Sequence, residues 1–471
     1  MEKYDLLSDK AEGFINKRKI EEVLTKASSN STNNELAKEI LAKASVMKGL
    51  TPEEATILLL NQDKEITSSI YTLAESVKNT YYGNRIVLFA PLYLSNYCIN
   101  SCTYCPYHVS NKHMPRKKMT QEEIKQEVIA LQDMGHKRLA LEMGEDPIHN
   151  PLEYILESID TIYNIHHKAG AIRRVNVNIA ATSVENYKRL KDANIGTYIL
   201  FQETYNQAEY EKLHPRGPKS DYSYHTLAMD RAMIGGIEDV GLGVLFGLHN
   251  YAFEFVSLLM HAEHLEAKYG AGPHTISVPR LRPADGINIE NFKNSLPDDI
   301  FLKIVALLRI SVPYTGLIIS TRESEEIREK VLKLGVSQIS GGSKTSVGGY
   351  AVEKEQDSSQ FEIADNRTLD EIVCWLMQLG YVPSFCTSCY TNGRQGQDFM
   401  EICKKQQIHN FCTPNALLTL REYLNNYASN ETYEIGRLLL INELDKLNPF
   451  SFARMRERID ILDKTGEIKF F

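Results

Sequence analysis

No stretch of this 471-residue chain approaches the roughly 18 consecutive apolar residues that cross a bilayer, which excludes a helical membrane span. Basic charge is not in excess either. The 53 Lys and Arg residues face 61 Asp and Glu, for a net charge of −8. That balance argues against nucleic acid or an anionic membrane as the main partner. The start, Met1-Glu2-Lys3-Tyr4-Asp5-Leu6-Leu7, lacks the apolar core of a signal peptide, so a cytoplasmic location is expected. Cysteine is sparse: eight residues in a large chain of this kind do not read as a disulfide framework.

What is present is grouping. Cys98, Cys102 and Cys105 fall within eight residues, and Cys386, Cys389 and Cys412 form a second set with one long gap. Cys374 and Cys403 stand apart. A closed zinc site takes four ligands, commonly from two CxxC pairs. Three thiolates on one short loop instead suit a cubane iron–sulfur cluster with one iron left open. For the second set, the competing reading is a structural CxxC, or a zinc site completed by Cys403.

The rest of the chain alternates. Residues 1–80 are expected to be helical (15–27, 34–48 and 51–60), forming a cap over one end of the next region. From 81 to 350, short apolar strands are expected at 86–92, 138–143, 174–180, 197–202, 240–246, 275–279, 316–320 and 336–340. Helices are expected between them: one opened by the capping box Thr120–Glu123 and stopping at Gly135, one N-capped by Asn150 with Pro151 at N1 and stopping at Gly170, and one over 252–269. Eight such repeats predict an α/β fold of the (β/α)8 TIM-barrel class rather than an open sheet. Residues 351–471 leave the repeat, with a polar stretch at 353–365 and a helix at 369–379. They are expected to form a mainly helical C-terminal extension, docked at the barrel mouth and carrying the second cysteine set.

A barrel enzyme places its chemistry at the C-terminal ends of its strands. Strand 1 leads into the cysteine loop. Strand 2 ends Gly144-Glu145-Asp146, strand 3 carries Asn176 and Asn178, and strand 4 ends Gln202-Glu203-Thr204. Strand 5 ends at His249, strand 6 in Arg280-Leu281-Arg282, strand 7 in Ser320-Thr321-Arg322-Glu323, and strand 8 in Ser340-Gly341-Gly342-Ser343. The ring as a whole fits one active site.

Cys98-x3-Cys102-x2-Cys105, with Tyr104 before the last cysteine, resembles the signature of the radical S-adenosylmethionine (SAM) enzymes. Together with Cys386-x2-Cys389-x22-Cys412, the likeness extends over essentially the whole chain to the HydG family, the tyrosine lyases of [FeFe]-hydrogenase maturation, relatives of ThiH, the 2-iminoacetate synthase of thiamine synthesis. The resemblance implies a SAM-binding [4Fe–4S] cluster on Cys98, Cys102 and Cys105, and an auxiliary [4Fe–4S] cluster with an additional iron on Cys386, Cys389 and Cys412. It implies SAM contacts from Gly144, Glu145, Tyr104 and the strand-5 end at 245–247, with Glu203 or Arg282 completing the grip. L-tyrosine would be cleaved to p-cresol and dehydroglycine, and dehydroglycine would pass through the barrel to yield carbon monoxide and cyanide in an Fe(CO)2(CN) synthon.

The family's extra iron takes a barrel histidine. His261 and His264 are the candidates, with His264 favoured by position. Cysteine as a further ligand of that iron, a low-potential electron donor and other hydrogenase maturation proteins are the implied partners. Arg322 is the expected carboxylate clamp for tyrosine, with Ser340 and the Gly341-Gly342 turn as further donors. Two alternatives remain: a ThiH-like enzyme that stops at dehydroglycine, and a non-catalytic iron–sulfur scaffold.

Overall fold

Along Arg85–Ser95 (β1), Ile86, Leu88, Ala90 and Leu92 alternate with Val87, Phe89, Pro91 and Tyr93. The first set is buried in the main core and the second lines interior cavities, as the two-residue period of a strand requires. The computed structural model describes residues 3–352, 358–391, 396–405 and 409–471. Seven more strands complete the barrel: Arg138–Met143 (β2), Arg174–Asn178 (β3), Tyr198–Ile199 (β4), Val240–Gly243 (β5), Thr275–Ser277 (β6), Gly316–Ile319 (β7) and Gln338–Ser340 (β8). Each pairs in parallel with the next, and β8 returns to β1 through Val87↔Gln338, Leu88↔Ile339 and Phe89↔Ser340. The sheet is therefore the expected closed (β/α)8 barrel. A ninth strand, Val382–Ser384 (β9), pairs with the first residues of β1.

The N-terminal helices lie elsewhere than expected. Pro52–Leu60 and Lys64–Tyr82 pack on the barrel's outer helices Tyr251–Tyr269, Asp298–Ser311 and Glu325–Leu334, so this layer covers a flank rather than an end. The helix expected at 15–27 runs Lys17–Asn30, because Asn16 caps it by accepting from Lys19 N. The second helix ends at Ala44.

The helix expected over 252–269 runs Tyr251–Tyr269, closed by Gly270, and the Thr120–Glu123 capping box is as expected. The Asn150 reading is not. That helix is Leu152–Asn164 with Pro151 at the N-cap position, and Asn150 donates instead to Tyr97 O and Gly144 O. It stops well before Gly170 because Gln132 binds the backbone at Ile165 O and His167 N, turning the chain into the small hairpin His166–His167/Gly170–Ala171.

The C-terminal extension is largely helical. It docks at the end of the barrel opposite the expected one: Cys386, Cys389 and Cys412 share a pocket with Arg85, Arg138 and Gln338, which open their strands. The cause is β9, which continues the sheet at the N-terminal end of β1 and delivers Cys386 there. Of the polar stretch at 353–365, residues 353–357 lie outside the described residues. Among the described residues, no helix is long and apolar enough to cross a membrane.

Candidate active site

At the C-terminal end of the strands a cavity of about 230 Å³ is lined by Cys98, Cys102 and Cys105 together with residues from every barrel strand or its exit loop. The cysteine loop is built by its neighbours. Ile99 N donates to Glu145 O, Ser101 N to Arg216 O and Thr103 N to Leu213 O. Gly144 is required here, because a Cβ would stand 2.4 Å from Tyr97 O and 2.9 Å from Cys98 Cβ. Burial, then the nearby Cys98, pushes the Cys105 thiol up to about 12, and Cys102 is raised chiefly by burial as well. Buried thiols such as those of Cys102 and Cys105 suit a metal cluster, whose positive charge stabilises thiolates. Among the described residues no three ligands converge on a single metal ion; a cubane takes its thiolates on separate irons.

A polar chain runs from this loop. Asn100 Nδ2 donates to Glu145 Oε2 at 2.6 Å and stands 3.8 Å from Cys98 Sγ, and its Oδ1 accepts from Lys219 N. Burial raises the Glu145 carboxyl, against the lowering effect of Asn100 and Lys219. Lys219 Nζ binds Glu203 Oε1 at 2.8 Å, and Glu203 holds a left-handed backbone (φ 67°) that directs it into the cavity. Tyr104 meets His214 Nε2 at 2.7 Å. His214 Nδ1 faces Tyr210 O, so that nitrogen carries the proton and Tyr104 is the donor. Burial, then Lys219, lowers His214 to about 3, which keeps it neutral.

Across the cavity, Arg322 is open to a ligand. The carboxylate next to it in sequence, Glu323, is bound by Arg280 and by Arg282 (2.8 Å), and Glu326 pairs with Lys330. Among the described residues the Arg322 guanidinium makes no hydrogen bond or ion pair. It lies 3.4 Å over the Phe361 ring centre. Arg282 lines the cavity but spends its charge on Glu323. Ser340 Oγ accepts from Thr321 N and lines the cavity, and among the described residues its own proton has no acceptor. The donor expected from Gly341 is consumed, since its N–H binds Phe89 O in closing the barrel.

Several lining residues escaped the sequence pattern. Glu142 accepts from Asn178 Nδ2 at 2.7 Å, and burial raises it to about 8 against the lowering effect of Arg322 and Asn178. Its signal was a lone carboxylate inside the apolar run of β2. Lys219, Gln360 and Phe361 come from connections outside the strand pattern and had no comparable signal. Conversely, Asp146, Gln202, His249 and Arg280 sit at strand ends yet face away from the cavity, in local caps, ion pairs or packing.

The second cysteine set lies at the other end of the same tube, in a pocket of about 70 Å³ lined by Cys386, Cys389, Cys412, Arg85, Arg138, Asp239 and His274. Burial, then Cys412, raises Cys386 to about 11. Cys403 packs against this set without lining the pocket. His264 does not reach it. Its Nδ1 faces Leu6 O at 2.6 Å, its Nε2 faces Asp230 Oδ1 at 3.0 Å, and its ring stacks on Phe14. His261 is bound to Tyr205. Both lie in the outer helix Tyr251–Tyr269, whose face toward the N-terminal segment they fill. The histidine at the pocket is His274, directly before β6, with Nδ1 3.5 Å from Asp239 Oδ1. The two cavities touch consecutive inward residues of the same strands: Val87 below and Phe89 above, Gln338 below and Ser340 above. That is a separation of about 7 Å along β1.

Residues 92–258 match the radical SAM superfamily model, and 277–382 the biotin and thiamin synthesis associated domain. The chain is similar to a crystal structure of HydG, a maturase of the [FeFe]-hydrogenase, at 51% identity and TM-score 0.93, covering 97% of this chain and 100% of that one. It is similar to the FeFe-hydrogenase maturase HydG from Carboxydothermus hydrogenoformans at 39% identity and TM-score 0.83, covering 96% of this chain and 100% of that one. The 2-iminoacetate synthase of Salmonella typhimurium is 29% identical over 71% of this chain and 86% of its own length.

Proposed function

We infer that this chain, which belongs to the HydG family of the radical SAM superfamily, cleaves L-tyrosine to p-cresol and dehydroglycine and converts dehydroglycine to carbon monoxide and cyanide. The product would be an Fe(CO)2(CN) synthon for [FeFe]-hydrogenase assembly. One observation carries the reading: two three-thiol sets at opposite ends of one barrel, their cavities about 7 Å apart along shared strands.

Cys98, Cys102 and Cys105 would hold a [4Fe–4S] cluster, and Cys386, Cys389 and Cys412 a second. When bound, the first cluster would supply the electron for reductive cleavage of SAM to methionine and a 5′-deoxyadenosyl radical. Gly144 and Glu145 would receive the SAM amino group, with Asn100 fixing the Glu145 carboxylate. Tyr104, held by His214, and Leu245 would flank the adenine, and the Lys219–Glu203 pair would face the ribose and carboxylate.

Arg322 would take the tyrosine carboxylate in a forked pair of hydrogen bonds, and the Ser340 hydroxyl would add a donor. The buried wall would keep water from dehydroglycine, which hydrolyses readily. At the lower pocket His274, whose Nδ1 lies 3.5 Å from Asp239 Oδ1, would bind the additional iron in place of His264, with cysteine as an added ligand of that iron. A low-potential reductant and the other maturation proteins remain the proposed partners.

The test is anaerobic reconstitution with SAM, tyrosine and dithionite, assayed for 5′-deoxyadenosine, p-cresol and carbon monoxide together. All three are expected. The first two without carbon monoxide would favour an enzyme that stops at dehydroglycine. Absence of 5′-deoxyadenosine would leave only the scaffold reading.

A further inference from the structure

Phe361 belongs to a segment beyond the barrel that no strand-end pattern covers, yet it forms part of the cavity wall. The segment is tied across the mouth. Gln360 N donates to Thr345 O, and Thr345 Oγ1 to Phe361 O. The Tyr93 hydroxyl donates to Gln360 Oε1 at 2.8 Å. Ala364 N and Asp365 N share Thr321 O, next to Arg322. Asp365 then forms a fully buried ion pair with Arg328. These ties fix the Phe361 ring relative to the end of β7.

The consequence falls on Arg322. A guanidinium carbon 3.4 Å above a ring centre is in van der Waals contact with the aromatic face, where the ring quadrupole attracts the cation. One face of the guanidinium is thereby closed. The adjacent Glu323 is held by Arg280 and Arg282, and the cavity carboxyls Glu203 and Glu142 by Lys219 and Asn178, so the N–H edges of Arg322 are what remain for a ligand in the cavity. A carboxylate must then approach in the guanidinium plane, the geometry of a forked pair.

We propose that Phe361 is a positioning residue for the substrate, acting through Arg322 to fix the plane in which the amino-acid carboxylate is bound. This rests on the tyrosine lyase reading, and it adds the C-terminal segment to the substrate site.

The test uses the full-length reconstituted protein with Phe361→Leu, Phe361→Tyr, Arg322→Lys and the Phe361→Leu/Arg322→Lys double variant, measuring KM for tyrosine and for SAM and kcat for p-cresol. Phe361→Leu should raise the tyrosine KM about tenfold, the scale of a desolvated cation–π contact, with the SAM KM unchanged. Phe361→Tyr, which keeps the aromatic face, should stay within about threefold of the parent. In the Arg322→Lys background, Phe361→Leu should add less than about twofold, since both changes act on one contact. An unchanged tyrosine KM in Phe361→Leu overturns the proposal. So does an equal rise in both KM values, or full additivity in the double variant. A parent protein that makes 5′-deoxyadenosine but no p-cresol would instead overturn the tyrosine lyase reading on which the proposal rests.

Discussion

The Arg322 guanidinium carbon lies over Phe361, 3.4 Å from the ring centre, while its sequence neighbour Glu323 is held by Arg280 and Arg282. A cation inside a cavity with its carboxylate neighbours already taken is a binding group for an anion entering from outside. Arg322→Lys keeps the charge and loses the fork. Tyrosine KM should rise by about ten- to a hundredfold, with SAM cleavage retained as 5′-deoxyadenosine formation. An unchanged tyrosine affinity would remove the assignment.

The two thiol sets should be separable. Cys386→Ser with Cys389→Ser should leave p-cresol formation within about twofold and abolish most carbon monoxide, since thiolate ligands are lost only at the lower pocket. Haemoglobin capture of carbon monoxide beside p-cresol chromatography measures both. Equal loss of both products would mean that the lower site supports the fold or the first reaction.

His264 and His274 make a contrasting pair. His264→Ala strips a partner from the buried Asp230 carboxylate, leaving Lys268 and Tyr269. It should cost about 2–4 kcal/mol of stability without changing iron bound at the lower site. His274→Ala should lower iron content and carbon monoxide yield while p-cresol formation continues. Iron analysis and thermal melts of the two variants decide it. Iron lost from His264→Ala and retained by His274→Ala would reverse the assignment.

Glu142 carries a pH signature. Burial raises its carboxyl from an ordinary value near 4.5 to about 8. Between those values the unfolded chain has released the proton that the folded chain keeps, so stability contributed by this group falls as pH rises. Glu142→Gln removes that dependence. Its melting temperature relative to the parent should therefore increase from pH 5 to pH 8. A constant difference across that range would show that Glu142 is ionised in the fold.

Gly144→Ala tests the seam between the cysteine loop and β2. The added Cβ meets backbone at Tyr97 and the Cys98 side chain, neither of which is a flexible end that can move aside. The variant should fold, since the contact lies at the cavity rim, and lose SAM affinity by more than about tenfold. Equilibrium SAM binding to the reconstituted protein measures it, and parent-like binding would show that the loop can shift.

Much of the upper site was legible because covalent spacing and strand period are local. Cys98, Cys102 and Cys105 must share one loop whatever the fold. The β-strand period and capping boxes such as Thr120–Glu123 marked out the repeat that closes the barrel. Glu145, Glu203, Arg322 and Ser340 could then be picked out as residues at strand exits, and the structure places them on one cavity. The helix over 252–269 was legible by its punctuation alone, but which way His264 faces was not. The same three-residue spacing serves a ligand or a buried structural histidine, and only the packing of Phe14 and Asp230 decides between them.

By itself, then, the sequence determined the barrel, the two thiol sets and the strand exits, because each depends on neighbours a few residues apart. Tertiary structure alone decided the rest. It set which end of the barrel receives Cys386, through β9 pairing with the start of β1. It brought His274 rather than His264 to that end. It also brought Phe361 under Arg322. Each of these joins residues far apart in the chain, and such contacts are chosen by packing and by satisfaction of buried polar groups, which no local pattern encodes.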